Sequence, residues 1–180
     1  MHARPSDRFV LRVSILGADG QPIRTVADDL VWPRHPRVSP DGKRLALTVG
    51  GGNGGSVWTY DLTGAAQPLN LTSAPGRSGE LPVWRPDGSQ IALMWRGPEW
   101  SMASVPTDGS TLNPTLTVEN TNESFPQAWS TDGKVLLYQV MNITGGTDLM
   151  AFDPTSKKSE PWLQTNFTTA VRSSTRRDRR

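Results

Sequence analysis

Side chains able to do covalent or metal chemistry are scarce. Cysteine is absent from the 180 residues, and histidine occurs only as His2 and His35. Disulfides, thiolate nucleophiles and thiolate metal sites are therefore excluded, and a Ser/His/Asp relay has almost no material. Ser78 stands in Gly-Arg-Ser-Gly-Glu, which lacks the Gly-x-Ser-x-Gly spacing of a nucleophile elbow. The run Gly50-Gly-Gly-Asn-Gly-Gly55 lacks the Lys-Ser/Thr ending of a phosphate loop, and no helical pattern follows it. Asp41, Asp87 and Asp132 are each followed by glycine. A hard cation needs six or more oxygens converging on one point, whereas three separate Asp-Gly pairs make three separate turns. Glu80, Glu99, Glu119 and Glu123 are scattered through connecting segments, where they could line a binding face, although solvated loop charge is the ordinary role. No catalytic, cofactor-binding or metal-binding set is assigned. The isolated chain is expected neither to hydrolyse peptides or esters nor to transfer phosphate. What remains is recognition: Trp100, in Arg96-Gly-Pro-Glu-Trp100, reads first as core or edge packing and, as the alternative, as an exposed aromatic suited to anchoring a ligand. Arg96, Glu99, Asn53, Glu123 and Asn142 are the polar candidates beside it on the same class of loop.

A repeat must position these residues. HPRVSPDGKRLALTV from His35, LPVWRPDGSQIALMW from Leu81 and PQAWSTDGKVLLYQV from Pro126 share one pattern, with their Asp-Gly pairs 46 and 45 residues apart. Four, six and eight residues after each Asp stand Leu45, Leu47 and Val49, then Ile91, Leu93 and Trp95, then Leu136, Tyr138 and Val140. Alternation of this kind is a β-strand. A second strand follows at Ser56–Asp61, Met102–Pro106 and Asp148–Asp153, and a short apolar piece at Pro68–Leu71, Pro114–Thr117 and Pro161–Gln164. With an inner strand containing Val38, Trp84 or Trp129, each unit has four strands, A to D. Four antiparallel strands recurring every 40 to 50 residues mark a β-propeller blade.

The pattern predicts an all-β fold, a partial β-propeller of about three and a half four-stranded antiparallel blades. Its parts are a half blade over 9–26 (strands C and D), blades over 34–72, 80–118 and 125–165, and a disordered basic tail over 169–180. Since propellers have four to eight blades, two flanks are left open, and the chain reads as a fragment, a truncated product or one part of a larger assembly. Trp84, Trp129 and Trp58 read as packing residues. His35 reads as a loop residue before an inner strand.

Charge and hydropathy exclude further classes. The formal net charge is +2, but Arg172–Arg180 contributes +4 of it and leaves a body of −2. That is no nucleic-acid footprint on a folded surface. Apolar runs of about five to seven residues are too short for a membrane span, for which ~20 are needed. The opening MHARPSDRFVLRVSILG has charges within its apolar run, unlike a signal peptide. Asn-x-Ser/Thr matches at Asn70, Asn122, Asn142 and Asn166 would matter only in a eukaryotic secretory setting.

The repeated x-P-x-[VW]-S-P-D-G-[KR]-x-[LI]-A-[LF] unit resembles the WD-repeat-like, TolB-type propeller repeat of bacterial proteins, over roughly residues 9 to 168. It is most similar to the propellers that follow the kinase domain in bacterial eukaryotic-type Ser/Thr kinases. Similar repeats form the gating propeller of prolyl oligopeptidase-type peptidases. Thr131 in place of proline, and Pro106 in place of aspartate, depart from the pattern. The resemblance implies a domain that binds, gates or senses while chemistry sits elsewhere, so no catalytic residue carries over. An extracytoplasmic or periplasmic setting would follow from a parent of the TolB or kinase-sensor kind. The expected role is a non-catalytic scaffold for a protein, a peptide, another ligand or further blades, with no nucleic acid and no insertion into a membrane. The alternative is the propeller portion of a kinase or prolyl oligopeptidase-type enzyme. The expected binding face is the end carrying the segments 27–36, 50–56, 72–82, 96–101, 119–126 and 142–148, because variable loops on a rigid frame carry recognition.

Overall fold

The computed structural model describes residues 10–50, 54–119, 123–141 and 146–163. All regular structure among them is β. Strands β1 (Val10–Leu16) and β2 (Pro22–Val31) form an antiparallel pair. The first four-stranded sheet is β3 (Arg34–Val38), β4 (Arg44–Val49), β5 (Ser56–Asp61) and β6 (Leu69–Asn70). The second is β7 (Ser78–Trp84), β8 (Gln90–Arg96), β9 (Trp100–Pro106) and β10 (Thr115–Glu119). The third is β11 (Ser124–Trp129), β12 (Leu136–Met141), β13 (Thr147–Asp153) and β14 (Lys158–Leu163). In each, neighbours in sequence are neighbours in the sheet, the up-and-down order of a propeller blade.

The three Asp-Gly turns share one pattern of backbone hydrogen bonds. Inner strands end at Val38, Trp84 and Trp129, which face Leu45, Ile91 and Leu136 across the ladder. Within each turn the glycine N–H donates to the carbonyl three residues back: Gly42 to Ser39, Gly88 to Arg85 and Gly133 to Ser130, all at 2.9 Å. The glycines take φ of 71°, 71° and 69°, a region costly for any residue with a Cβ.

Alternation along the strands makes each blade two-faced. In β4, Leu45 and Leu47 pack with Leu30 and Tyr60 against Val13, Val26 and Ala27 of the β1–β2 sheet. Ala46 turns the other way and joins Val57 and Leu71 against Ile91, Leu93 and Trp95 of the second blade. Ala92 and Met102 of that blade meet Leu136, Tyr138, Val140 and Phe152 of the third. Beside both seams between whole blades an arginine lies over an inner-strand tryptophan of the following blade: Arg44 Cζ is 4.8 Å from the Trp84 ring centroid and Arg85 Cζ is 5.3 Å from that of Trp129. Arg44 also donates to the Gly88 carbonyl at 3.0 Å, and the Trp84 indole N–H to the Arg37 carbonyl at 2.9 Å.

Several elements differ from the sequence pattern. β2 runs to Val31, past Val26, so that 27–31 is strand rather than connection. Register shifts beside Val13 let the ladder continue where the alternation lapses. β14 begins at Lys158, three residues before Pro161, following a turn in which Lys157 takes φ 57°. His35 lies inside β3 with φ 53°, not in a loop before it. Leu81 takes the matching place in β7 with φ 56°. Each sits within a register shift, the mark of a β-bulge, which bends the strand.

Candidate functional site

The starts of the inner strands and the β8–β9 hairpin meet at one end of the blade stack. Arg96 and Trp100 are not loop residues but the last and first residues of paired strands, and they face each other across the ladder. Only Gly97, Pro98 and Glu99 project, closed by the Gly97 N–H donating to the Glu99 carbonyl at 3.1 Å. This tight hairpin holds the Arg96 guanidinium carbon 4.8 Å from the Trp100 ring centroid. On its other side Arg77 stands 6.0 Å from the ring centroid of Trp95, which is buried. A Cβ on Gly97 would stand 3.2 Å from the Arg77 guanidinium carbon, a tight contact that the arginine would relieve by shifting a few tenths of an ångström. Two arginines and a half-buried tryptophan thus flank one rigid hairpin.

Beside the hairpin, the end of the seam between the first two whole blades is polar, although its middle is apolar. Arg34 Nη2 reaches Glu80 Oε2 at 3.2 Å, joining two inner strands. Arg34 faces Thr48 across the β3–β4 ladder, and Ser78 faces Arg96 across β7–β8. Thr48 Oγ1, Ser78 Oγ, Arg34 Nε and His35 Nδ1 are buried here without a hydrogen-bond partner. Buried polar atoms are ordinarily paired, so four orphaned ones at one seam single it out. Burial, and then the charge of Arg34, push the His35 pKa below its ordinary value, with Glu80 opposing and Arg37 adding to the fall. The imidazole is therefore neutral at pH 7.

Of the residues singled out from sequence, Arg96, Glu99 and Trp100 come together on the hairpin. Glu123 belongs to the third blade, where its carbonyl accepts from the Met141 N–H at 3.0 Å. Asn53 and Asn142 lie outside the described residues. Glu80, expected as solvated loop charge, is instead a buried residue of β7 paired with Arg34, and Ser78 lies in the same strand. Arg34, Arg77 and Thr48 escaped the sequence analysis, because the Arg34–Glu80 contact crosses blades, Arg77 meets Gly97 through the pairing of β7 with β8, and no spacing along the chain records either. The Asp41, Asp87 and Asp132 carboxylates stay within their own turns at the opposite end, each bonded to a serine hydroxyl.

No family model matches the sequence, and no curated protein sequence does. Solved structures do match. TolB from Acinetobacter baumannii is similar over 87% of this chain and 38% of its own, with 19% identity and a TM-score of 0.69. The fold is a β-propeller. A putative TolB from Agrobacterium tumefaciens is similar over 78% of this chain and 49% of its own, with 23% identity and a TM-score of 0.60. A prolyl endopeptidase structure is similar over 83% of this chain and 25% of its own, with 16% identity and a TM-score of 0.60. The propeller described here thus spans less than half the length of each, and identities this low speak for the fold alone.

Proposed function

We propose that this propeller is a non-catalytic recognition scaffold that binds a peptide or protein segment at the end carrying the β8–β9 hairpin. The carrying observation is the hairpin itself: Arg96 stacked on Trp100, with Arg77 on its other side. Trp and Arg are the residues most enriched among binding hot spots. They are held here on paired strands, which lowers the ordering cost of a contact.

The test is selection from a displayed random-peptide library against the immobilised chain. Enriched peptides should bind, and Trp100→Ala and Arg96→Ala should each weaken them by about tenfold or more. No enrichment, or peptides indifferent to both substitutions, overturns the reading. A second reading takes the propeller as part of a larger enzyme, a Ser/Thr kinase of the bacterial eukaryotic type or a prolyl oligopeptidase-type peptidase. It is supported by the fold similarity to a prolyl endopeptidase of which this chain covers 25%. Sequencing the DNA on both sides of this reading frame for kinase or nucleophile-elbow motifs decides it.

A further inference from the structure

We propose that copies of this chain associate head to tail, the free face of the third blade in one copy receiving the free face of the β1–β2 sheet in the next. Blade packing in this molecule has a sense. The residues four and six after each turn Asp face the preceding sheet: Leu45 and Leu47, Ile91 and Leu93, Leu136 and Tyr138. Residues five and seven after it lie on the opposite face of the sheet, toward the following blade. In the first two whole blades these are Ala46, Thr48, Ala92 and Met94, all buried, and their β5 and β9 partners Val57 and Met102 are fully buried.

In the third blade the same positions are Leu137 and Gln139, with Ala151 and Leu149 opposite them on β13. None of these four is buried. Leu137, Gln139 and Leu149, with Leu163 and Gln127, line a groove of about 360 Å³. The face is thus built on the positions that a following blade covers twice elsewhere in the molecule, and its occupant is a β-sheet packed face to face.

The complementary surface lies at the other end of the stack. β1 and β2 use Val13, Val26 and Ala27 against the first whole blade. Leu16 and Ile23 are left 56% and 70% exposed, beside the Arg12–Asp28 ion pair. Exposed large hydrophobics concentrate on these terminal sheets: Leu11, Leu16 and Ile23 on one, Met141, Trp162 and Leu163 on the other. Among the described residues the stack ends in one face of the forward sense and one of the backward sense. Such a pair is self-complementary between copies only as a heterologous contact, which gives a ring if the rotation closes and an open array if it does not.

Sedimentation velocity on the full chain tests this with one substitution on each flank, Leu137→Asp and Ile23→Asp. The unmodified chain should associate as concentration rises. Either variant alone should lose its only contact and sediment as a monomer, with affinity down by about tenfold or more. Mixed, the two variants should form a 1:1 dimer, since one keeps the forward face and the other the backward face. Far-UV circular dichroism and a thermal melt establish that each variant is folded, and Leu149→Glu replaces Leu137→Asp if it is not. A chain that stays monomeric at its highest soluble concentration overturns the proposal. So does an Ile23→Asp variant that still self-associates, which would mean like faces pair with like, and so does a mixture that stays monomeric.

Discussion

At each Asp-Gly turn the carboxylate collects one hydroxyl, one backbone N–H and one nearby cation, but from different residues. Asp41 and Asp132 take the hydroxyl from Ser39 and Ser130, two residues before, and the N–H from Lys43 and Lys134. At Asp87 the order is exchanged: Ser89 supplies hydroxyl and N–H, and Arg85 supplies the cation at 3.1 Å. The hydroxyl bond is the largest influence in all three cases, and it pulls each pKa below the ordinary carboxylate range. A carboxylate with a lowered folded pKa adds stability above its unfolded value, near 3.9, and loses it as pH falls through the folded value. His35 acts in a higher window, because its lowered pKa means that protonation disfavours the folded state as pH drops below about 6.5. The melting temperature should therefore fall in two stages on acidification, the first removed by His35→Asn and the second, below about pH 4, retained. A single transition unchanged by His35→Asn would contradict the assignment. The two stacked tryptophans give a sharper contrast. Trp84 donates its indole N–H to the Arg37 carbonyl, whereas the Trp129 N–H is buried without a partner. Trp84→Phe gives up a hydrogen bond of about 1 kcal/mol that Trp129→Phe does not. Urea unfolding of the two variants should show the larger loss at Trp84.

At the scale of elements, turns and seams fix the blades. Gly133→Ala keeps every contact of its turn yet places a Cβ at φ 69°, and should cost about 1 kcal/mol. Leu93 is fully buried in the seam between the first two whole blades, so Leu93→Ala should cost about 2–5 kcal/mol. Leu112 is 42% exposed, and Leu112→Ala should stay within about 0.5 kcal/mol. Equal losses at Leu93 and Leu112 in denaturant melts would contradict the seam account. These elements were legible to different degrees. Strands B and C could be read from sequence because turn chemistry and period-two alternation coincide after Asp41, Asp87 and Asp132. The beginnings of the inner strands could not, because the bulges at His35 and Leu81 place non-glycine residues at positive φ, where sequence offers no glycine or asparagine to mark them. The end of β2 was hidden for the same kind of reason, since its ladder shifts register where Thr25-Val-Ala-Asp-Asp-Leu30 stops alternating. In the candidate site, Arg96 and Trp100 were legible as a local pair. The Arg34–Glu80 contact joins residues 46 apart on different blades and depends on blade packing, whereas Arg77 reaches the hairpin because Ser78 pairs with Arg96 within the blade.

At the scale of the molecule, stability should grade outward from the second blade. Its sheet is covered on both faces, by Ala46, Val57 and Leu71 on one side and by Leu136, Tyr138 and Phe152 on the other. Among the described residues, the β1–β2 sheet and the third blade are each covered on one face, and all six residues of β14 are exposed. A stack whose units touch only their neighbours behaves as a one-dimensional chain of interfaces, and a unit with two interfaces opens less readily than one with a single interface. Backbone amides in β8 and β9 should thus exchange with solvent only through the largest opening of the molecule. Amides in β14 should exchange through local fraying, and those in β1 and β2 through loss of the packing on Leu45 and Leu47. Hydrogen exchange followed by mass spectrometry, at dilution where copies are apart, reads this order directly: β8 and β9 slowest, then β4, whose blade also has two interfaces but only a two-stranded sheet on its outer side, then β12, with β1, β2 and β14 fastest. Arg44→Ala removes the donor to the Gly88 carbonyl and the cation over Trp84, and so should raise exchange in β7 and β8 more than in β13. Uniform protection across the three whole blades, or slowest exchange in β13, would show that the molecule opens as one unit instead of seam by seam.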